Sequence, residues 1–509
     1  MKKHIAQIII ETTSPLVVGS GKSSLDNDMV VARDFNFLPY IPGTGITGVI
    51  ASLFEEKYDE EKRIKIFGGE DEEYKKNDKE TLKGSIFEVS DALLLDCNDE
   101  VLQQPVLRDQ LSEFHKKFLI LPKREHVRID HRGVSEDSGK FDNEFVYKGA
   151  RFKFEIEMMA ENDAEDDYWN SILTLFHSKD FLLGSGTTNG YGQLKVVCLK
   201  TKTFDVSKKE DLLDYLNHTV DLNSPLNADP INIEPYEGEW KSLYTLKINT
   251  KVLHIGSGHG DEDVDDANYT EDVIDWNTKD EPIWNKYFVI PGSSVKGAMA
   301  HRLAYHKNYS DGKNVENLIS NSIIAKEKVD KLFNAFGNKI ENIYDSSLSP
   351  DDKKKELFTI KQKIAEFELN IDFNIDNIFY DISGENNEAV NALFGNASNE
   401  NNNTGEIGSI IVDDYYIPEN EVTETIFNHN SIDRYTGGTI EGALFSEKVM
   451  SLNKDYELNI KIRKHNKSNS DSFEKSTEVL KGVVEDITKG DLAIGGKTNK
   501  GYGFFIETK

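Results

Sequence analysis

Gly184-Ser185-Gly186-Thr187-Thr188-Asn189-Gly190-Tyr191-Gly192 returns without a gap as Gly495-Gly496-Lys497-Thr498-Asn499-Lys500-Gly501-Tyr502-Gly503. A glycine loop repeated over such a length marks an internal duplication. Three further signatures recur in the same order. A strand ends in Gly-Ser-Gly at Gly19-Ser20-Gly21 and again at Gly256-Ser257-Gly258. A Pro-Gly turn opens a helix at Pro42-Gly43-Thr44 and again at Pro291-Gly292-Ser293-Ser294. Phe67-Gly68 with Ser90-Asp91 matches Phe394-Gly395 with Val412-Asp413. Ahead of each glycine loop stands a His-x-x-Ile-Asp segment, His126 to Asp130 and His429 to Asp433.

Working outward, each half reads strand, helix, several strands, long helix, glycine loop, strand. That order predicts an α+β fold of two tandem ferredoxin-like (RRM-like) domains rather than a parallel α/β sheet. The expected boundaries are 1–205 and 241–509, joined by a polar stretch, 206–240, that contains Pro225, Pro230 and Pro235. Residues 301–390 have no counterpart in the first half and read as an acidic helical insertion, with helical spacing over Ala325 to Phe336 and Lys353 to Leu369. The Asn-rich run Asn396 to Asn403 reads as a loop.

Composition narrows the classes. The chain has 509 residues, too many for one core. It contains no apolar run long enough to span a bilayer. Its N-terminus alternates like a strand, and its two cysteines, Cys97 and Cys198, are far apart. Those features predict a cytoplasmic protein without a disulfide framework or a cysteine zinc site. The net charge of −30 argues against a free nucleic-acid binder, so any such role must rest on local charge.

Locally, four motifs carry chemistry. Gly19-Ser20-Gly21-Lys22-Ser23 is not a Walker phosphate loop, because Leu16 stands where that motif needs glycine. Lys22 and the amides of that turn remain candidates for phosphate contact. Gly43, Thr44, Ser293, Ser294 and Lys296 sit at helix starts, where free amides and hydroxyls suit phosphate; an ordinary capped helix is the plain alternative. Lys123, Arg124, His126, Arg128 and Arg132 form a basic island whose partial echo is Arg434; a solvated face is its plain alternative. The glycine loops offer backbone that RNA or a neighbouring subunit could approach, with Tyr191 and Tyr502 read as packing residues. Acidic loops follow each Gly-Ser-Gly, with Asp26, Asp28 and Asp34 in one and Asp261 to Asp275 in the other. Such loops either stay solvated or hold a divalent metal.

These motifs, above all Ile290-Pro291-Gly292-Ser293-Ser294-Val295-Lys296-Gly297 and Arg128-Ile129-Asp130-His131-Arg132, resemble the RAMP superfamily of CRISPR-associated proteins. The likeness is to backbone subunits of type III effector complexes and covers both halves outside 301–390. It implies guide RNA, complementary target RNA and other effector subunits as partners, with no membrane. It also implies a thumb-like hairpin that interrupts guide–target pairing. Some members of the family cut the target with an aspartate after the first strand and a divalent metal. Asp28 holds that place here, which makes it the expected catalytic and Mg²⁺-binding residue; Glu271 or Asp272 holds it in the second half. A non-catalytic guide holder is the alternative. A stand-alone repeat-processing endoribonuclease is disfavoured by the two Pro-Gly turns.

Overall fold

The computed structural model describes residues 1–21, 29–70, 82–130, 133–277, 279, 281–313, 339–340, 342–344, 346–366, 382–396, 405–464 and 470–508. In the first half, Lys2–Thr12 is central and pairs antiparallel with Leu194–Asp205 on one side and Arg151–Ala160 on the other. Arg151–Ala160 then carries Phe87–Val89 and Ala92–Leu94. Helices Gly43–Lys57 and Asp163–Leu175 follow the first and third core strands. The strand order is fourth, first, third, second, which is the ferredoxin-like arrangement. The second half repeats it with Ile506–Glu507, Lys241–Asn249, Tyr456–Ile462 and Ile410–Val412.

Alternation along the first strand explains its position. Ala6, Ile8 and Ile10 join Phe152, Phe154 and Ile156 in a core completed by Ile46, Ile50 and Phe54 of the first helix. The intervening residues face the other side of the sheet. There the stretch expected to link the halves is folded against it. Gln7 donates to Ser224 O and accepts from Leu226 N, both at 2.9 Å, while Leu226 packs on Ile5 and Phe204. On the second sheet that surface is polar, with Lys247 and Glu457 exposed side by side.

The insertion begins inside helix Gly292–Ser310, which runs past residue 301. Helix Pro350–Glu366 covers most of the expected Lys353–Leu369. The expected helix Ala325–Phe336 and residues 397–403 of the asparagine run lie outside the described residues. Helix Glu388–Phe394 ends on Gly395 with φ +77°, as Glu60–Phe67 ends on Gly68 with φ +77°. The insertion therefore separates two helices that are adjacent in the first half. The chain divides into two compact units. One is Met1–Ala298 with Ile407–Ser468 and Val484–Lys509; the other is Met299–Glu406 with Asn469–Val483.

Within the first unit the two sheets are joined by an ion pair. Arg124, on hairpin Lys123–Ile129/Ser135–Glu144, is buried. Its Nε donates to Glu271 Oε1 at 2.9 Å and its Nη1 to Asp414 Oδ2 at 2.8 Å. Tyr269 and Tyr416 hydroxyls donate to the same glutamate at 2.8 and 2.7 Å. Arg124→Ala leaves two buried carboxylates without their cation, a loss of about 3–5 kcal/mol. We expect a lower thermal unfolding midpoint for Arg124→Ala by scanning calorimetry, with little recovery in Arg124→Lys, which lacks the fork. An unchanged midpoint would show that the halves are held by something else.

Candidate nucleic-acid interface and cleavage loop

The duplicated loops can be registered through their backbone bonds. Ser20 N donates to Val30 O at 2.9 Å, and Ser257 N to Ala267 O at 3.0 Å. Ala32 N donates to Val18 O and Tyr269 N to Ile255 O, at 2.8 and 2.7 Å. Met29 bridges Asn143 as Asp266 bridges Glu447. Met29 therefore corresponds to Asp266, and position 28 to Asp265. Asp272 is displaced from that register: it lies on strand Thr270–Trp276 opposite Lys286. Counting from Val273-Ile274 misled because those residues belong to a hairpin that the first half replaces with a short turn. Asp28, Asp26, Lys22 and Arg132 lie outside the described residues.

Asp265 is exposed and accepts from Ser446 N at 2.8 Å and Ser446 Oγ at 3.0 Å, which holds its carboxyl below the usual range. Lys448 Nζ reaches Asp261 at 2.5 Å and Asp263 at 3.3 Å, and Lys497 Nζ reaches Asp266 at 2.5 Å. Three neighbouring acids are thus neutralised by lysines, while Asp265 is held by hydroxyl and amide. Among the described residues, no group of three or more His, Cys, Asp or Glu side chains is arranged to hold a metal. A single carboxylate fits a hard divalent ion that keeps several waters.

The basic island is not a uniform surface. Arg124 is consumed inside the fold. His126 stacks on Phe141 at 5.0 Å and lies 3.0 Å from the Tyr191 hydroxyl. Burial and the Arg124 charge push His126 down to about 4, so it is neutral near pH 7 and offers no cation to phosphate. Lys123 and Arg128 are exposed on the hairpin, and Arg434 in the connection of the second hairpin, Val422–His429/Phe445–Leu452. Lys296 is also withdrawn: its Nζ donates to Thr188 O at 3.0 Å, and burial lowers it to about 8.

The helix starts are occupied from within. Gly43 N donates to Asp91 Oδ1 and Gly292 N to Asp414 Oδ1, both at 2.8 Å. The partner of Asp91 is thus Asp414 and not Asp413, one residue from the sequence match. Thr44 is exposed and makes no cap bond; the first helix amide is taken by Asp91, between strands Phe87–Val89 and Ala92–Leu94. A Cβ on Gly43 would stand 2.4 Å from Val89 O, and one on Gly292 2.1 Å from Val412 O. Ser294 is exposed and Ser293 half-buried.

The glycine loops also serve the chain itself. A Cβ on Gly192 would meet Leu183 O at 1.9 Å, and one on Gly503 would meet Ile494 O at 2.0 Å. Those contacts account for Gly192 and Gly503 within the fold, whereas a Cβ on Gly501 would meet nothing within 4 Å. Tyr191 and Tyr502 are buried, as packing residues. Sequence reasoning missed the apolar hairpin tips. Val127, Ile129 and Val134 are exposed on the first, and Ile432, Leu444 and the fully exposed Tyr435 on the second. Their signal was apolar residues beside a turn with no alternating partner strand.

A RAMP superfamily profile matches residues 9–195 and 245–506, nearly the whole of both ferredoxin-like halves. The chain belongs to the RAMP superfamily. A search of curated proteins gives no match. Among solved structures it is similar to a chain of a type III-B Cmr-beta complex bound to cognate target RNA, seen by cryo-electron microscopy. That chain is 18% identical, with a TM-score of 0.27, over 39% of this chain and 61% of its own length. No described helix is long and apolar enough to cross a membrane.

The two halves differ beneath their loops. In the first, Val17, Phe145, Tyr191 and Met29 form an apolar cluster. In the second, His254 stands in the place of Val17 and Asp266 in that of Met29, and Lys497 ties Asp266 to the buried Glu447. Burial alone would raise Glu447, but hydrogen bonds from Lys497, Tyr502 and His429 hold it down at about 2. Its carboxylate stabilises the fold fully above the ordinary value of 4.5, and that contribution is lost as pH falls toward 2. The stability difference between wild type and Glu447→Gln should therefore shrink over that window in urea unfolding at stepped pH. Parallel curves would show that Glu447 is not ionised by this network.

Proposed function

We propose that this chain is a backbone subunit of a type III CRISPR effector complex. It holds guide RNA, and it cleaves complementary target RNA with Asp28 in its first half and Asp265 in its second. The observation that carries this reading is the shared register of Met29 and Asp266, each bridged to an exposed hairpin, with Asp265 one residue before that bridge and Asp28 one residue before it in sequence. RAMP superfamily membership supports the same reading. The exposed cations Lys123, Arg128 and Arg434 would meet phosphates, and the apolar tips would lie against splayed bases. The cleavage chemistry is attack by the RNA 2′-hydroxyl in line with the leaving oxygen. A carboxylate beside a phosphate is repelled; bound Mg²⁺ or a similar ion would supply the compensating charge. The aspartate would hold that ion through water and orient the attacking group.

One observation favours a second reading for the second half. Asp265 is engaged by Ser446, which suits a loop that holds RNA without cutting it. The test is the assembled complex with end-labelled target RNA and Mg²⁺. Asp28→Asn should abolish one product and Asp265→Asn another, with target binding intact. Asp272→Asn, out of register, should leave the pattern unchanged. Survival of every product in both variants would make the chain a guide holder, and loss through Asp28→Asn alone would confine cutting to the first half.

A further inference from the structure

Residues 265 and 266 run alongside strand Phe445–Leu452 of the second hairpin. The amides of Asp265 and Asp266 donate to Ser446 O at 3.1 and 3.2 Å, and Lys448 N donates to Asp266 O at 3.0 Å. Along extended chain, successive side chains leave on opposite sides. Asp265 accordingly meets Ser446, and Asp266 stands across the bridge from Glu447, which is fully buried. Two carboxylates are therefore set opposite one another, and like charges so placed push paired strands apart. The first half has Met29 and Asn143 at this bridge, so no charge there has to be neutralised.

Lys497 supplies the compensating charge. Its Nζ is 2.5 Å from Asp266 Oδ2 and also bonds Glu447 Oε2. The nearby lysines do not replace it: Lys448 is taken by Asp261 and Asp263, and Lys500 stands back, 3.9 Å from Glu447. His254 Nε2 lies 3.0 Å from Asp266 and His429 Nε2 2.6 Å from Glu447, so each histidine serves one of the acids. Lys497 reaches both from a left-handed backbone, φ +58°, at the place where the first half has Gly186. Strain of that kind persists only where the surroundings over-determine it, and here the two acids do.

Given the cleavage reading of Asp265, on which this rests, we propose that Lys497 is the positioning residue of the second cleavage loop. By neutralising Asp266 and Glu447 together it holds residues 265 and 266 on strand Phe445–Leu452, and so fixes where Asp265 meets the RNA phosphate. Lys497 acts through the loop and does not touch the substrate. Removing its charge leaves the two acids to repel each other, and the amides of Asp265 and Asp266 lose their hold on Ser446. A bridge without the two acids needs no lysine, which is the composition of the first half. The two cleavage loops of one chain are thereby held in place by different means, and a change at Lys497 touches the second alone.

Three variants test this. Lys497→Met removes the charge, Lys497→Arg keeps it, and Lys497→Gly/Asp266→Met/Glu447→Asn gives the second half the first-half residues at all three places. Hydrogen–deuterium exchange of segment 261–268 is read first, in the full-length chain without RNA or metal. It should quicken about tenfold in Lys497→Met and stay near wild type in Lys497→Arg and in the triple variant. The assembled complex is then given end-labelled target RNA and Mg²⁺, and the product lost in Asp265→Asn is measured against the product lost in Asp28→Asn. Lys497→Met should lower that ratio about tenfold or more, and the triple variant should restore it. Unchanged exchange in Lys497→Met, or quicker exchange with an unchanged ratio, overturns the proposal. So does a triple variant as poor as Lys497→Met, since the lysine would then act on the RNA itself. If both products fall together in Lys497→Met, the triple variant, which has no unpaired charge at the bridge, decides in the same way. A wild type that yields no Asp265-dependent product defeats the cleavage reading instead, and the exchange result still judges the tie.

Discussion

The Arg124 guanidinium, buried between Glu271 and Asp414, is the contact on which the joining of the two halves depends. Burying three charges is costly, and packed apolar side chains would often be as stable. What the ion cluster adds is selection. The planar fork bonds both carboxylates, two tyrosine hydroxyls fill remaining positions on Glu271, and the other oxygen of Asp414 takes the first amide of a helix. A slip of one residue on any contributing strand would leave a buried charge unpaired. The register of the hairpin, of the Pro-Gly helix and of the first-half glycine loop against the second half all follow from this cluster.

Much of the fold was legible in the sequence because the duplication supplied its own control. A glycine loop or a Pro-Gly turn means little once; twice, in order, it fixes topology. The helix that ends at Gly68 and the one that ends at Gly395 show how closely the copies agree even with a long insertion beside one of them. What could not be read was burial. Arg124, His126 and Lys296 have the composition of a phosphate site, yet each is turned inward, because linear charge density does not reveal which face a strand or helix presents. Nor could counting find Asp265. The true register runs through backbone bonds near Gly256, whereas the apolar landmark Val273-Ile274 sits on an element present in one half only.

The copies have kept their backbone and exchanged their chemistry. Where Val17, Met29, Phe145 and Tyr191 pack together, the second half places His254 and Asp266 among its counterparts. Lys497 occupies a left-handed position, φ +58°, that the first half gives to Gly186 at φ +72°. A lysine there costs about 1–3 kcal/mol of backbone strain. Its contacts with Asp266 and Glu447 offset that strain and pin the acidic loop that carries Asp265. The first half has an apolar cluster at this place and the second an ionic one, so the two are expected to respond differently to acid and salt.

The charge of the chain takes on a different meaning in this light. Arg124, Lys296, Lys448 and Lys497 are held by the protein's own carboxylates and carbonyls. On the hairpins, exposed Arg128 and Arg434 stand beside exposed apolar residues. If that surface meets RNA as proposed, it gains little from counterion release and more from stacking. On the proposed reading, a chain with net charge −30 would hold RNA weakly by itself, and neighbouring chains would have to supply the rest of the grip.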